Sequence, residues 1–198
     1  MPGVAKREVP RDDRRSRRTR AMLGDALVAL MLEQRYDTIT VQEIIDRANV
    51  GRSTFYAHFL DKEDLLQHQI TGLITRLSAH MERDGGQRII PSRELLDHLQ
   101  ASRALYRALV RGRAIEPVLK TMHSQLSSHV ETRLRRGLAP ATVPVVPLPL
   151  LAHHVAAALL TLFQWWLDRD MAETPEQIDA YFVQLVRPTI CAATGIEI

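Results

Sequence analysis

The chain has 198 residues, 45% of them hydrophobic and 25% charged, a soluble globular balance with room for one large or two small domains. Cys191 is the single cysteine, which excludes an intrachain disulfide and fits a reducing compartment. The formal net charge is only +3 with a pI of about 9.3, but the charge is uneven. The first twenty residues set Lys6, Arg7, Arg11, Arg14, Arg15, Arg17, Arg18 and Arg20 against Glu8, Asp12 and Asp13, leaving the remainder slightly acidic. A basic arm on a near-neutral body points to a polyanion partner; a solubilising tail is the alternative. No apolar run lies behind these basic residues, so a secretory signal is not expected and the location expected is cytoplasmic.

In chain order, residues 1–16 read as a disordered basic arm, charged and without apolar periodicity. From about 17 to 34, Met22, Leu23, Ala26, Leu27, Leu30 and Met31 recur at helical spacing. Thr40, with Glu43 three residues later, predicts a capping box opening a short helix whose apolar side is Ile44, Ile45 and Ala48. Asn49-Val50-Gly51 ends that helix, because asparagine tolerates the left-handed backbone of a tight turn and Gly51 can cap the next helix. The next stretch, Arg52 to Phe59, predicts a helix of about two turns. Asp61 caps another, carried by Leu65, Leu66, Ile70, Leu73, Ile74 and Leu77 to about residue 82 and broken by Asp84-Gly85-Gly86. Helical periodicity resumes from Ser92 to about Val110 and from Ile115 to about Arg136. Pro140, Pro144, Pro147 and Pro149 punctuate a loop before an apolar helix that runs to about Asp168. Thr174-Pro175-Glu176-Gln177 is a second capping box, opening a helix that ends near Pro188. No strand alternation is evident, so the fold class expected is all-α.

On a helical wheel of the stretch from Arg52 to Phe59, Phe55 and Phe59 coincide and face the core. Ser53, Thr54 and Ala57 lie opposite, flanked by Arg52 and Tyr56 on one edge and His58 on the other. Small residues at the centre let the backbone approach a flat partner, and the rim supplies hydroxyl, guanidinium and ring donors. Two short helices, a tight turn and a polar outward second helix describe a helix-turn-helix that enters the DNA major groove. The bland alternative is a partly polar helix of a bundle with Tyr56 and His58 simply solvated. The basic arm favours DNA, since such an arm, with Arg17 and Arg18 at its end, can track the backbone or enter the minor groove.

Thr40 to Leu66, TVQEIIDRANVGRSTFYAHFLDKEDLL, resembles the helix-turn-helix of TetR/AcrR-type transcriptional regulators; the specific part is Thr54-Phe55-Tyr56-x-His58-Phe59, then Lys62-Glu63 and a leucine pair. The resemblance covers residues 17–66, with the motif at about 40–59. It implies a three-helix DNA-binding domain there and a helical effector-binding and dimerisation domain over 67–198. It implies that Thr40 and Gln42 meet phosphate or a base, that Arg52, Ser53 and Thr54 read bases, and that Tyr56, His58 and Lys62 contact phosphate. Asn49 departs from the glycine common in the family, and Gly51 from a serine-type cap. The resemblance also implies a homodimer through the last two long helices, a palindromic double-stranded operator, and repression relieved by an unknown small molecule.

The residues bear on the second half independently. The helix from Leu150 to Leu167 is apolar nearly all round and needs more cover than one small domain supplies. It is long enough to raise a membrane span, but Pro149, His153, His154 and Gln164 favour a buried interface helix instead. Candidate effector-pocket residues are Tyr106, Met122, His123, Leu126, His154, Phe163 and Trp166, each of which could equally be ordinary core. No metal site, cofactor or enzymatic activity is expected: adjacent His153 and His154 point about 100° apart on a helix, His123 and His129 are off-face, and no phosphate-cradling glycine loop is present. The alternative function is a helical adaptor with a lapsed DNA-binding motif, against which the retained Arg52, Thr54, Tyr56, His58 and Lys62 stand.

Overall fold

The computed structural model describes residues 11–83, 89–111, 114–138 and 143–195, with the side chains of residues 11–13 left aside. Among these residues the secondary structure is entirely helical: α1 (Arg11–Glu33), a 3-10 turn (Tyr36–Thr38), α2 (Val41–Ala48), α3 (Arg52–Tyr56), α4 (Lys62–Arg83), α5 (Ser92–Ala101), α6 (Arg103–Arg111), α7 (Ile115–Gly137), α8 (Leu148–Asp168) and α9 (Pro175–Thr194). The chain divides into two packed units between Leu66 and Gln67. The Asp84-Gly85-Gly86 break, Pro140 and the first ten residues of the expected arm lie outside the described residues.

In the first unit, Leu23, Leu27, Leu30 and Met31 of α1 meet Ile44, Ile45 and Ala48 of α2, and Phe55, Phe59, Leu65 and Leu66 complete the core. The capping box at the start of α2 is present: Thr40 Oγ1 accepts from the Glu43 amide, and Glu43 Oε2 accepts from the Thr40 amide at 2.7 Å. Asn49 takes the left-handed backbone, at φ 51°. One expectation is corrected. Residues 11–16 are not disordered; α1 begins at Arg11, because arginine propagates a helix well and nothing after Pro10 breaks it. The stretch after Gly51 is also shorter than two turns. Only Arg52–Tyr56 is α-helical, and Ala57 to Phe59 close it as a turn, the Phe59 amide donating to the Phe55 carbonyl at 2.9 Å.

In the second unit α7 packs along α8, and α9 packs against both α5 and α8. The single helix expected from Ser92 to Val110 is two, because Ser102 turns the chain so that Leu95, Leu96 and Leu99 on α5 and Tyr106 and Leu109 on α6 can all be buried. The helix expected to stop at Pro188 runs on to Thr194. Proline removes one helical hydrogen bond to the carbonyl four residues back. Here both Gln184 and Pro188 are exposed, so water can take that carbonyl, while buried Ile190, Ala193 and Thr194 hold the last turn down. Gly195, at φ 71°, then ends the helix in the left-handed conformation glycine adopts without strain. α8 is apolar enough to cross a membrane by length and composition. In this fold it buries Leu151, Val155, Leu159, Phe163 and Trp166, as a core helix does.

Candidate nucleic-acid interface

The short helix α3 is positioned from beneath. Phe55 is fully buried, and its ring meets Tyr56 edge-on at 5.3 Å and Phe59 at 5.9 Å. With the two phenylalanines in the core, Arg52, Ser53, Tyr56 and Ala57 are exposed, and Thr54 and His58 are half-buried at the margins. Tyr56 keeps 48% of its surface in solvent even while its ring edge packs. The Arg52 guanidinium lies 5.6 Å from the Tyr56 ring centre, and one of its nitrogens makes a long 3.4 Å contact with Gln42 Oε1. Gln42 in turn donates to Asp46 at 2.9 Å. Gln42, Arg52 and Tyr56 therefore form one exposed polar ridge across α2 and α3. Arg17 and Arg18 are exposed on α1.

Two expected contact residues are hydrogen-bonded within the head. The Lys62 ammonium donates to the carbonyls of Tyr36 and Ile39, both at 2.8 Å, and of Asp37 at 3.2 Å. It also lies 4.7 Å from the Tyr36 ring centre. A lysine has three N–H donors, and all three point into the turn before α2, so Lys62 ties α4 to that turn. Thr40 is exposed, but Glu43 engages both its amide and its hydroxyl. Its hydroxyl proton, now directed at Glu43 Oε2, can turn to another acceptor without breaking the capping box. Glu43 is fixed as well: the Gln34 amide, then Thr40, hold its carboxyl below the usual range. Arg47 grips Glu33 through both guanidinium nitrogens, at 2.8 and 2.6 Å, joining α2 to α1 and holding the Glu33 carboxyl low. Asp61 and Asp64 reciprocate at the start of α4: Asp61 accepts from the Asp64 amide at 2.7 Å, and Asp64 accepts from the Leu60 amide at 3.0 Å. The exposed ridge thus stands on a frame of short polar ties.

None of the seven candidate pocket residues lines the cavities described below. Met122, Leu126, Phe163 and Trp166 are fully buried core. Tyr106 packs edge-on to Phe163 at 5.4 Å, and burial pushes its phenol up to about 12. The Trp166 indole donates to the Glu173 carbonyl at 3.0 Å. His123 faces His153 at 5.3 Å between ring centres, and His154 is exposed. Large apolar side chains fill space rather than outline it. Other cavities are present in the second unit. One, of about 250 Å³, lies between α4 and α7 and is walled by Thr71, Thr75, Gln125, Ser128, His129 and Arg133 among others. The second, of about 130 Å³, is apolar and lined by Ile89, Val155, Phe182, Val186 and Ile190 with Ser92 at its edge. The sequence signal for the first was a polar stripe at helical spacing, Thr71, Thr75, Ser78 and Glu82 on α4 and Gln125, His129, Thr132 and Arg136 on α7. Among the described residues no group of three or more histidine, cysteine or carboxylate side chains is arranged to hold a metal ion.

Similarity to known proteins respects the same division. Residues 23–68 match the family described as bacterial regulatory proteins, tetR family, and residues 92–188 match a transcriptional regulator C-terminal region. The chain is 27% identical over 196 residues to the uncharacterized HTH-type transcriptional regulator YxbF of Bacillus subtilis (strain 168), covering 94% of this chain and 49% of that protein. The chain thus spans about half the length of the curated relative it matches. Among solved structures, a TetR transcriptional regulator from Streptococcus agalactiae 2603V superposes with a TM-score of 0.60 at 28% identity, covering 88% of this chain and 97% of the other. A protein of Syntrophomonas wolfei assigned to the same family shares the fold at 18% identity and a TM-score of 0.54, over 88% of this chain and 95% of the other.

Proposed function

The chain belongs to the TetR family of bacterial regulatory proteins, and from that premise we propose that it binds a palindromic DNA operator as a homodimer in the cytoplasm, represses transcription there, and is released by a small-molecule effector. The observation that carries the DNA-binding reading is the exposed ridge of Arg52, Ser53, Tyr56 and Gln42, held outward by buried Phe55 and Phe59. In this reading Arg52, Ser53 and Thr54 meet base edges, Gln42, Tyr56 and His58 position the backbone, and Arg17 and Arg18 add phosphate contacts. Thr40 and Lys62 serve the frame instead. Support for the homodimer comes from α8 and α9, where Leu150 is 61% and Leu185 62% exposed, with Trp165 and Tyr181 also outward. A two-fold pairing on that face would present two reading heads to the two halves of a palindrome.

The test is fluorescence anisotropy on DNA obtained by selection, compared with scrambled DNA across a salt series. A specific regulator binds the selected DNA tightly with a steep salt slope. Arg52→Ala should relax preference at one position of each half-site by about 1–3 kcal/mol. Equal, weak binding to both DNAs would remove the reading of α3 as a base-contacting helix. A monomer by light scattering at micromolar protein would remove the dimer.

A further inference from the structure

We infer that the groove between α4 and α7 is the effector site and that its ligand is an oxygen-rich anion, a molecule of sugar-phosphate size carrying one acidic group and several hydroxyls. The inference rests on the effector reading above and adds a location and a chemistry to it.

Volume and lining together select this groove. Its volume of about 250 Å³ accommodates a small metabolite and exceeds that of the apolar cavity, about 130 Å³, while the larger surface depression of about 590 Å³ beside it is open and walled only by Arg76, Ala79, Glu82 and Arg83. Composition then selects the ligand. Apart from Ile74, the lining is polar: hydroxyls of Thr71, Thr75, Ser128 and Thr132, the Gln125 amide, and the charged or titratable Glu82, His129, Arg133 and Arg136. Some of these groups are already oriented. The Thr71 hydroxyl lies 2.7 Å from the Gln67 carbonyl and 2.8 Å from Gln125 Oε1, so it holds the Gln125 amide against α4 at the groove. The Thr132 hydroxyl donates to the Ser128 carbonyl at 2.9 Å. The Ser78 hydroxyl and His129 Nε2 are 3.3 Å apart. An apolar ligand would strip water from these groups and give nothing back, which costs more than its own burial returns. A polyhydroxylated ligand can satisfy them.

Charge decides the rest. Arg133 is paired with Glu82, so those two cancel. Arg136, exposed at the mouth, adds a positive charge, and Arg76 and Arg83 border the adjoining surface around Glu82. The positive field is felt by His129, whose pKa is held below the ordinary value by burial first and then by Arg133, against a smaller opposing effect of Glu82. A site with hydroxyl and amide donors and a net positive rim recognises an anion; a guanidinium does so bidentately when the acid is a carboxylate or phosphate.

The experiment uses the full chain and three probes: glucose 6-phosphate, glucose and inorganic phosphate. Binding is read by titration calorimetry and by the His129 ring signals in NMR. Glucose 6-phosphate should bind and shift the His129 signals, with glucose and phosphate each at least about tenfold weaker because each lacks half of the recognised chemistry. Arg136→Ala should weaken the sugar phosphate by roughly tenfold, and Gln125→Ala should weaken it independently. Both positions are solvent-facing or half-buried, so the fold should persist, checked by circular dichroism. No heat and no His129 shift at about 10 mM probe, or an unchanged shift in Arg136→Ala, overturns the site. Phosphate binding as well as the sugar phosphate overturns the hydroxyl half of the assignment. The DNA complex separates the two proposals: groove binding that leaves operator affinity unchanged removes effector release but keeps the site, whereas release by an apolar probe such as indole without a His129 shift removes the site but keeps effector release.

Discussion

The two units differ in where their polar side chains concentrate. In residues 11–66, polar groups tie one element to the next: Lys62 to three carbonyls, Thr40 and Glu43 to each other, Asp61 and Asp64 at the start of α4, Arg47 to Glu33. In the second unit, ion pairs such as Arg93 with Glu176 and Arg107 with Asp170 join exposed surfaces, and the conspicuous polar concentration is the groove between α4 and α7. The lesson is that a small head must fix its geometry with specific ties, because its core is too small to do so by packing alone. A larger helical body holds itself together by apolar contact and can leave polar groups facing a cavity. A base-reading surface needs rigidity of that first kind, since a misplaced donor loses its hydrogen bond.

The largest expected effect is on the core beneath the ridge. Phe55→Ala leaves a cavity under α3 and should cost about 3–5 kcal/mol. Specific DNA binding should disappear while most helical circular dichroism remains, because Phe55 contributes only to the first unit's core. If the whole chain unfolds instead, the two units are not separately stable and the contrast between them is weakened.

Lys62→Met comes next. Methionine keeps an unbranched stem near the Tyr36 ring but removes the ammonium, leaving the carbonyls of Tyr36, Asp37 and Ile39 without that donor. The expected loss is about 1–3 kcal/mol of stability, measured by urea unfolding. DNA affinity should fall only as far as the folded fraction does. Unchanged stability with a reduced salt slope would restore Lys62 to the phosphate-contacting role that the sequence resemblance implies.

Lys62 also shows where the sequence stops being legible. The head was readable where its signals are local: the three-residue spacing of Thr40 and Glu43, the asparagine before Gly51, and the four-residue spacing of Phe55 and Phe59 each act within one turn. Lys62 reaches residues 23 to 26 positions away, and no periodicity reports that. The helix order of the second unit was largely readable from apolar spacing. Its joint at Ser102 was not, because nothing there breaks a helix by composition, and Pro188 misled because its missing hydrogen bond faces solvent. The effector-pocket candidates line none of the cavities described above, for a different reason. Aromatic and methionine side chains on apolar faces become core, and a cavity is outlined by residues from two helices whose facing stripes a single chain's periodicity does not pair.

The smallest effect expected, acid sensitivity, sharpens the contrast most directly. In the head, Glu33, Asp37 and Glu43 have pKa values held low, Glu33 by its Arg47 bond, Asp37 by Arg35 and Glu43 by Gln34 and Thr40. A lowered carboxylate contributes stability that is present above its unfolded pKa and is lost as pH falls through the folded one, so the head's loss belongs below about pH 4.5. In the second unit, burial first and nearby arginine second hold His98 and His129 below the ordinary histidine range. Their neutral forms are favoured in the folded state, while the unfolded chain gains protons from about pH 6.5 downward. That stability is therefore complete above about pH 6.5 and declines as pH drops through the folded values, in a window well above the carboxylates'. Glu82, Arg133, Arg136 and the Ser78 hydroxyl are the groups facing His129. Thermal unfolding between about pH 8 and pH 5.5 should show the midpoint falling in the wild type and falling less in His129→Gln, with specific DNA binding by the folded head retained across the same range. If the midpoint is flat over that window, or the His129→Gln slope equals the wild type's, the histidine is not held neutral by its surroundings, and the positive field over the α4–α7 groove is weaker than its arginines imply.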